Sequence, residues 1–180
     1  YVVPPPSVAR PVPVVLLLHG SGERGADNIK QLKHGVARFV SSQAQTAHPC
    51  IVIAPQCPEM GWWAGDTLKL AIAAMERVGK ANGGDLSRYY VTGLSMGGFG
   101  TWSALAMRPD LFAAGLPICG GGDPGTVKSF VAVPVKAFHG AGDRMVLPEK
   151  SKMMVEALKA AGGTADYVEL PDAGHECWDQ

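Results

Sequence analysis

Gly93-Leu94-Ser95-Met96-Gly97-Gly98 is the stretch on which the reading of this chain turns. A strand-like run, Tyr89-Tyr90-Val91-Thr92, leads into it, and a helix-like run from Phe99 to Arg108 follows. A G-x-S-x-G segment between strand and helix is the setting of a nucleophile elbow. A serine at such a bend is forced out of the sheet, and glycines on either side let strand and helix close on each other. A free hydroxyl is a weak nucleophile near neutral pH. The bend therefore calls for a base, an acid to orient that base, and donors for an oxyanion.

The surrounding pattern says what carries the elbow. Apolar runs at Val12–Leu18, Ile51–Ala54, Tyr89–Thr92, Ala114–Ile118, Val133–His139 and Ala165–Leu170 read as strands. Most are apolar on both faces, as parallel strands covered by helices require. Helices are expected at Ile29–Ser42, Thr67–Ala81, Gly98–Met107 and Glu149–Ala161. Asp66 or Thr67 suits the cap of the second, and Pro148 the first turn of the last, which Gly162-Gly163 ends. Ala71, Ala74, Met75 and Val78 recur at three- and four-residue steps and form an apolar stripe. The alternation predicts an α/β protein, a mostly parallel open sheet of about six strands with helices on both faces. Pro4-Pro5-Pro6 reads as a stiff lead-in to a single domain spanning 1–180.

Composition narrows the function. With 180 residues the chain can bury a substantial core. Its 16 basic and 16 acidic residues balance, and no basic stripe invites nucleic acid. No apolar run reaches the roughly 20 residues of a membrane span. Cys50, Cys57, Cys119 and Cys177 include no CxxC pair, and His175-Glu176-Cys177 alone is not a zinc site. They read as buried free thiols, which makes a cytoplasmic setting the default expectation.

Ligands of open α/β sheets sit beyond the carboxyl ends of the strands. Ser95, Asp143 and His175 each follow a strand, and they occur in the order serine, acid, histidine. His175 is the candidate general base and Asp143 the residue that fixes its tautomer. The oxyanion donors are expected to be the backbone N–H of Met96 and that of Ser21, with Gly22 the second choice. Asp123, in Gly120-Gly121-Gly122-Asp123, is the rival acid; Asp172 is too near His175 in sequence to orient it. His19 reads as structural, and His34, His48 and His139 carry no supporting pattern. Trp62 and Trp63 stand after the second strand as pocket walls or as packing for the Gly-rich loops. Of the two, Trp63 is read with Gly22 as a substrate contact. Trp102 is expected in the core, Trp178 as a shield for His175 or packing for the terminus, and Glu23–Arg24 as an ion pair holding the oxyanion loop.

Leu17-Leu18-His19-Gly20-Ser21-Gly22-Glu23-Arg24-Gly25, with Asp27-Asn28 and Gln31-Leu32-Lys33-His34-Gly35, resembles a family of small bacterial α/β-hydrolases. These are carboxylesterases, also described as peptidases of the prolyl oligopeptidase clan or as phospholipase/carboxylesterase relatives, with feruloyl and acetyl-xylan esterases among their kin. Ala54-Pro55-Gln56-Cys57-Pro58, the elbow, Cys119-Gly120-Gly121-Gly122-Asp123 and Gly174-His175-Glu176-Cys177-Trp178 extend the likeness over nearly the whole chain. The resemblance implies an α/β-hydrolase fold with a minimal cap, and hydrolysis of short acyl or aryl esters without cofactor or metal. The alternatives are a serine peptidase of the same clan and a non-catalytic binder on the same scaffold. Relatives usually carry a β-hairpin before the first strand, here represented by Tyr1-Val2-Val3 alone, and a closing helix after the histidine. An uncovered apolar surface and pairing between chains are the expected consequences.

Overall fold

The structure is a computed structural model that describes residues 1–5 and 7–179. Pro6 of the proline lead-in lies outside the described residues. Six strands form one sheet in the order β2-β1-β3-β4-β5-β6. They are β1 (Val12–Leu18), β2 (Ile51–Ile53), β3 (Gly84–Leu94), β4 (Ala114–Ile118), β5 (Val135–Gly140) and β6 (Ala165–Leu170). Every neighbouring pair is parallel. Register aligns the carboxyl ends: Leu18 lies beside Gly93, Leu94 beside Ile118, and Gly140 beside Leu170. The loops that follow these ends therefore share one rim. On the outer side of β2, Val2 makes an antiparallel bridge to Val52, as expected of a hairpin tail.

The helices are α1 (Val36–Val40), α2 (Ser42–Ala47), α3 (Gly65–Ala81), α4 (Met96–Met107) and α5 (Glu149–Ala160). Along β1, Val14, Leu16 and Leu18 enter the large core with residues of α3, α4 and α5, while Val15 and Leu17 face Val36 and Phe39 of α1. That alternation is the pleat of a strand buried on both faces. Ala71 and Met75 of the expected stripe are buried and join Leu68 and Ile72, with Ala74 and Val78 at its half-buried margin. Each large side chain buried this way is worth about 1.5–3 kcal/mol.

Local departures have local causes. The helix expected over Ile29–Ser42 is broken into a 3-10 turn at Lys30–Leu32, then α1 and α2. Gly35 enters α1 at a φ of 75°, and Ser41 is extended and caps α2 by accepting from the Ala44 N–H. Helix α3 begins two residues earlier than expected, with Ala64 at its N-cap and no side-chain cap from Asp66 or Thr67. An unexpected 3-10 turn forms at Pro124–Phe130, and strand β5 starts at Val135 because the Val133 N–H closes a turn onto Phe130 O and Pro134 has no N–H to donate. On the α1 side, β4 and β5 leave an apolar groove of about 440 Å³ lined by residues such as Phe39, Tyr90, Leu116 and Val135.

Candidate active site

The bend at Ser95 follows from three close approaches. Ser95 has a φ of 53° and caps the amino end of α4. For a residue with a Cβ this is a strained conformation, of the sort that clusters at functional sites. A Cβ on Gly93 would collide with the Gly97 carbonyl, one on Gly97 with the Leu18 carbonyl, and one on Gly98 with the Ile118 carbonyl. These glycines let the elbow press against β1 and β4. The Ser95 N–H donates to Ile118 O at 3.0 Å and lies 3.3 Å from the Cys119 Sγ.

Ser95, His175 and Asp143 meet. Ser95 Oγ lies 2.9 Å from His175 Nε2, and His175 Nδ1 lies 2.7 Å from Asp143 Oδ2. A carboxylate only accepts, so Nδ1 carries the hydrogen and Nε2 is free to accept the Ser95 hydroxyl proton. His175 is 12% exposed, and Trp178 packs edge-on against it at 5.5 Å while also meeting His34. Asp143 is buried. Burial pushes its carboxyl up, but hydrogen bonds from His175 and from the Val146 and Met145 amides outweigh this and hold it below the ordinary carboxylate value. Asp123 does something else: its side chain accepts from the Gly125 N–H and caps the 3-10 turn at Pro124–Phe130.

The two turns bearing acid and base are fastened together. Ala141 N–H donates to Leu170 O, and Gly142 N–H to Ala173 O, each at 2.9 Å. Opposite them, Met96 opens α4, and Ser21 and Gly22 open a 3-10 turn at Ser21–Glu23. The first N–H groups of a helical turn have no partner within it. Among the described residues, the N–H groups of Met96, Ser21 and Gly22 have no hydrogen-bond partner.

The Ser21 loop is anchored by His19, read from the sequence as structural, and by Gln56, to which the sequence reading gave no role. His19 Nε2 accepts from the Cys57 N–H at 2.8 Å, so its Nδ1 donates to Gly20 O at 2.6 Å. Burial lowers the His19 pKa, which favours this neutral form. Gln56 accepts from the Asn28 N–H and donates to Glu23 O and Asp27 Oδ1. Trp63, expected to touch substrate, is only 1% exposed, and its indole donates to His19 O at 2.9 Å. It supports the loop from within the core. Trp62 is the exposed member of the pair, 6.1 Å from Phe99 and covered by Arg24 at 5.5 Å. The expected Glu23–Arg24 ion pair does not form: Glu23 is buried with its carboxylate 4.0 Å from His34 Nε2. Gly22 is exposed, with nothing crowding its Cβ position. Trp102 is in the core, as expected.

His139 and Cys119 complete the surroundings. His139 is fully buried, 3.1 Å from Asp143 Oδ2. Cys177 and burial push the Cys119 thiol up, so it stays protonated beneath the elbow. Among the described residues, Cys119, Asp143 and His175 are the one trio of potential metal ligands, with donor atoms within 4.8 Å of one another. Each already takes part in a hydrogen bond of the site. A shallow groove of about 450 Å³ runs beside His175 along Met145, Ala173 and Glu176. A larger depression of about 660 Å³ lies elsewhere, lined by Pro11, Phe39 and His48, and holds no residue of the triad.

Comparison with known proteins agrees with this architecture. The prolyl oligopeptidase family profile matches residues 60–130. A carboxymethylenebutenolidase-like protein of Escherichia coli K12 is 31% identical over 103 residues, which cover 52% of this chain and 38% of that protein. The crystal structure of a thermostable esterase superposes with a TM-score of 0.87 at 38% identity, over 92% of this chain and 48% of the other. Esterase PE8 superposes with a TM-score of 0.70 at 19% identity, over 93% and 88% of the two chains, and shares the fold. The chain thus spans less than half the length of the curated relative and of the thermostable esterase. The fold is that of the α/β-hydrolases.

Proposed function

We propose that the protein is a serine carboxylesterase that cleaves short-chain acyl or aryl esters through an acyl-enzyme. The observation that carries this reading is the unbroken relay from Ser95 Oγ to His175 Nε2 and from His175 Nδ1 to Asp143 Oδ2. Ser95 Oγ attacks the ester carbonyl as its proton passes to His175 Nε2. The N–H groups of Met96 and Ser21 bind the oxyanion. The tetrahedral intermediate collapses, the ester C–O bond breaks, and His175 gives its proton to the departing alcohol. Water then loses a proton to His175, attacks the acyl carbon and releases the acid, and Ser95 recovers its hydrogen.

The open groove beside His175, walled by exposed Met145, favours small esters over a deep-pocket substrate. The match to the prolyl oligopeptidase family favours one second reading, a peptidase using the same relay. Assays of p-nitrophenyl acetate and butyrate beside a prolyl and dipeptidyl amide panel test the choice. Ester turnover that disappears in Ser95→Ala supports the esterase, and amide turnover alone would replace it with the peptidase. The apolar groove on β4 and β5 supports pairing between chains. A monomeric mass in light scattering across a wide concentration range would reject that pairing.

A further inference from the structure

We propose that His139 is a positioning residue of this site, a second imidazole that shares the Oδ2 atom of Asp143 with His175. The proposal rests on the serine-hydrolase reading above and adds to it a residue outside the triad.

His139 stands in β5, four residues before Asp143, with no exposed surface. Its Nε2 lies 3.1 Å from Asp143 Oδ2 and 2.9 Å from Val146 O. Both groups only accept, so Nε2 carries a hydrogen and donates. Its Nδ1 lies 2.8 Å from Ser151 Oγ, in the first turn of α5, and that hydroxyl also lies 2.8 Å from Gly120 O, so its one hydrogen serves either acceptor. Gly120 packs on Gly98 of α4 so tightly that a Cβ on it would collide. A continuous chain of contacts therefore runs from the elbow helix through Gly120, Ser151 and His139 to Asp143, His175 and Ser95.

The Asp143 carboxylate is held at four points. Oδ1 accepts from the Met145 and Val146 amides, each at 2.9 Å, and Oδ2 from His175 and His139. The amides fix one oxygen. The His139 donor fixes the rotation that places the other oxygen on His175, and it draws off part of that oxygen's negative charge. Without it, more of that charge falls on the His175 hydrogen bond and the carboxylate keeps three of its four restraints, so Oδ2 is held less firmly. A buried histidine needs partners for both nitrogens in any fold. What sets this one apart is that its donor meets the atom that orients the candidate base.

Two variants separate positioning from filling of space. In His139→Gln the side-chain amide nitrogen reaches the place of Nε2 and still donates to Asp143. In His139→Asn the amide reaches only the place of Nδ1, beside Ser151. The measurements are kcat and KM for p-nitrophenyl butyrate, and the downfield proton NMR resonance of the His175 Nδ1–H. We expect His139→Asn to lower kcat about tenfold to a hundredfold with KM little changed, the scale of one hydrogen bond to a charged group. We expect the resonance to move as well, and His139→Gln to recover most of both effects. Ser151→Ala, which leaves Asp143 and His139 in place but frees Nδ1, should shift the resonance in the same direction by less, and this holds even if His139→Asn does not fold. Equal loss in the Gln and Asn variants, or an unmoved resonance in both His139→Asn and Ser151→Ala, would overturn the proposal. The NMR comparison stands whatever the substrate. A failed esterase reading would instead show as ester turnover retained by Ser95→Ala.

Discussion

Gly140, at the end of β5, lies so close under Gly174 that a Cβ on it would collide with the Gly174 carbonyl. That contact lets the turn bearing His175 settle onto the turn bearing Asp143. Gly140→Ala should lift the histidine turn, and a displacement near 1 Å in such a site costs about a hundredfold. The expected outcome is kcat/KM down by about that factor with far-UV circular dichroism unchanged. Activity equal to wild type would mean that the approach of the two turns does not set the His175 position.

Asp143 ties activity and stability to pH. Its carboxyl sits below the usual 3.8: burial pushes it up, and hydrogen bonds from His175, Val146 and Met145 outweigh that. A depressed carboxyl stabilises the fold at pH above its unfolded value and loses that contribution as pH falls through its lower folded value. The stability gap between wild type and Asp143→Asn should therefore be widest near neutral pH and shrink below about pH 4, as urea unfolding at several pH values would show. The same variant should lose activity by about 10⁴, since an amide favours the wrong histidine tautomer.

Gln56 joins the Ser21 loop to the loop after β2 through Asn28, Glu23 and Asp27. Gln56→Ala should cost about 1–2 kcal/mol of stability and lower kcat more than it raises KM, because the oxyanion donors lose their anchor. Thermal unfolding with steady-state kinetics checks both. A change confined to KM would place Gln56 in substrate binding.

The four cysteines are buried and unpaired. A thiol reagent added to the native protein should titrate almost none of them, and should find four after denaturation. Rapid native labelling of Cys119 or Cys177 would show that the floor of the site opens in solution.

The sheet was legible because each of its parallel strands is an apolar run, and the triad because each member follows such a run at the shared rim. The elbow glycines were legible by spacing alone. Other features depend on contacts that no local pattern carries. Trp62 and Trp63 are adjacent, yet one points to solvent and the other into the core beneath His19. Glu23 turns toward His34 because the helix expected at Ile29 breaks at Gly35, bringing that imidazole near. Ser41 offered a usable signal for the break, a serine three residues before the backbone N–H it caps. His139 was hidden for a different reason. Its partner is four residues away, but only the return of that turn onto β5, with Ser151 closing from α5, makes the contact.

The most direct test of the whole account is to treat the native protein with a fluorophosphonate probe and locate the adduct by peptide mass spectrometry. The account predicts one adduct, on Ser95, absent from Ser95→Ala and formed much more slowly in His175→Ala. No labelling of a folded protein, or labelling that persists in Ser95→Ala, would contradict it.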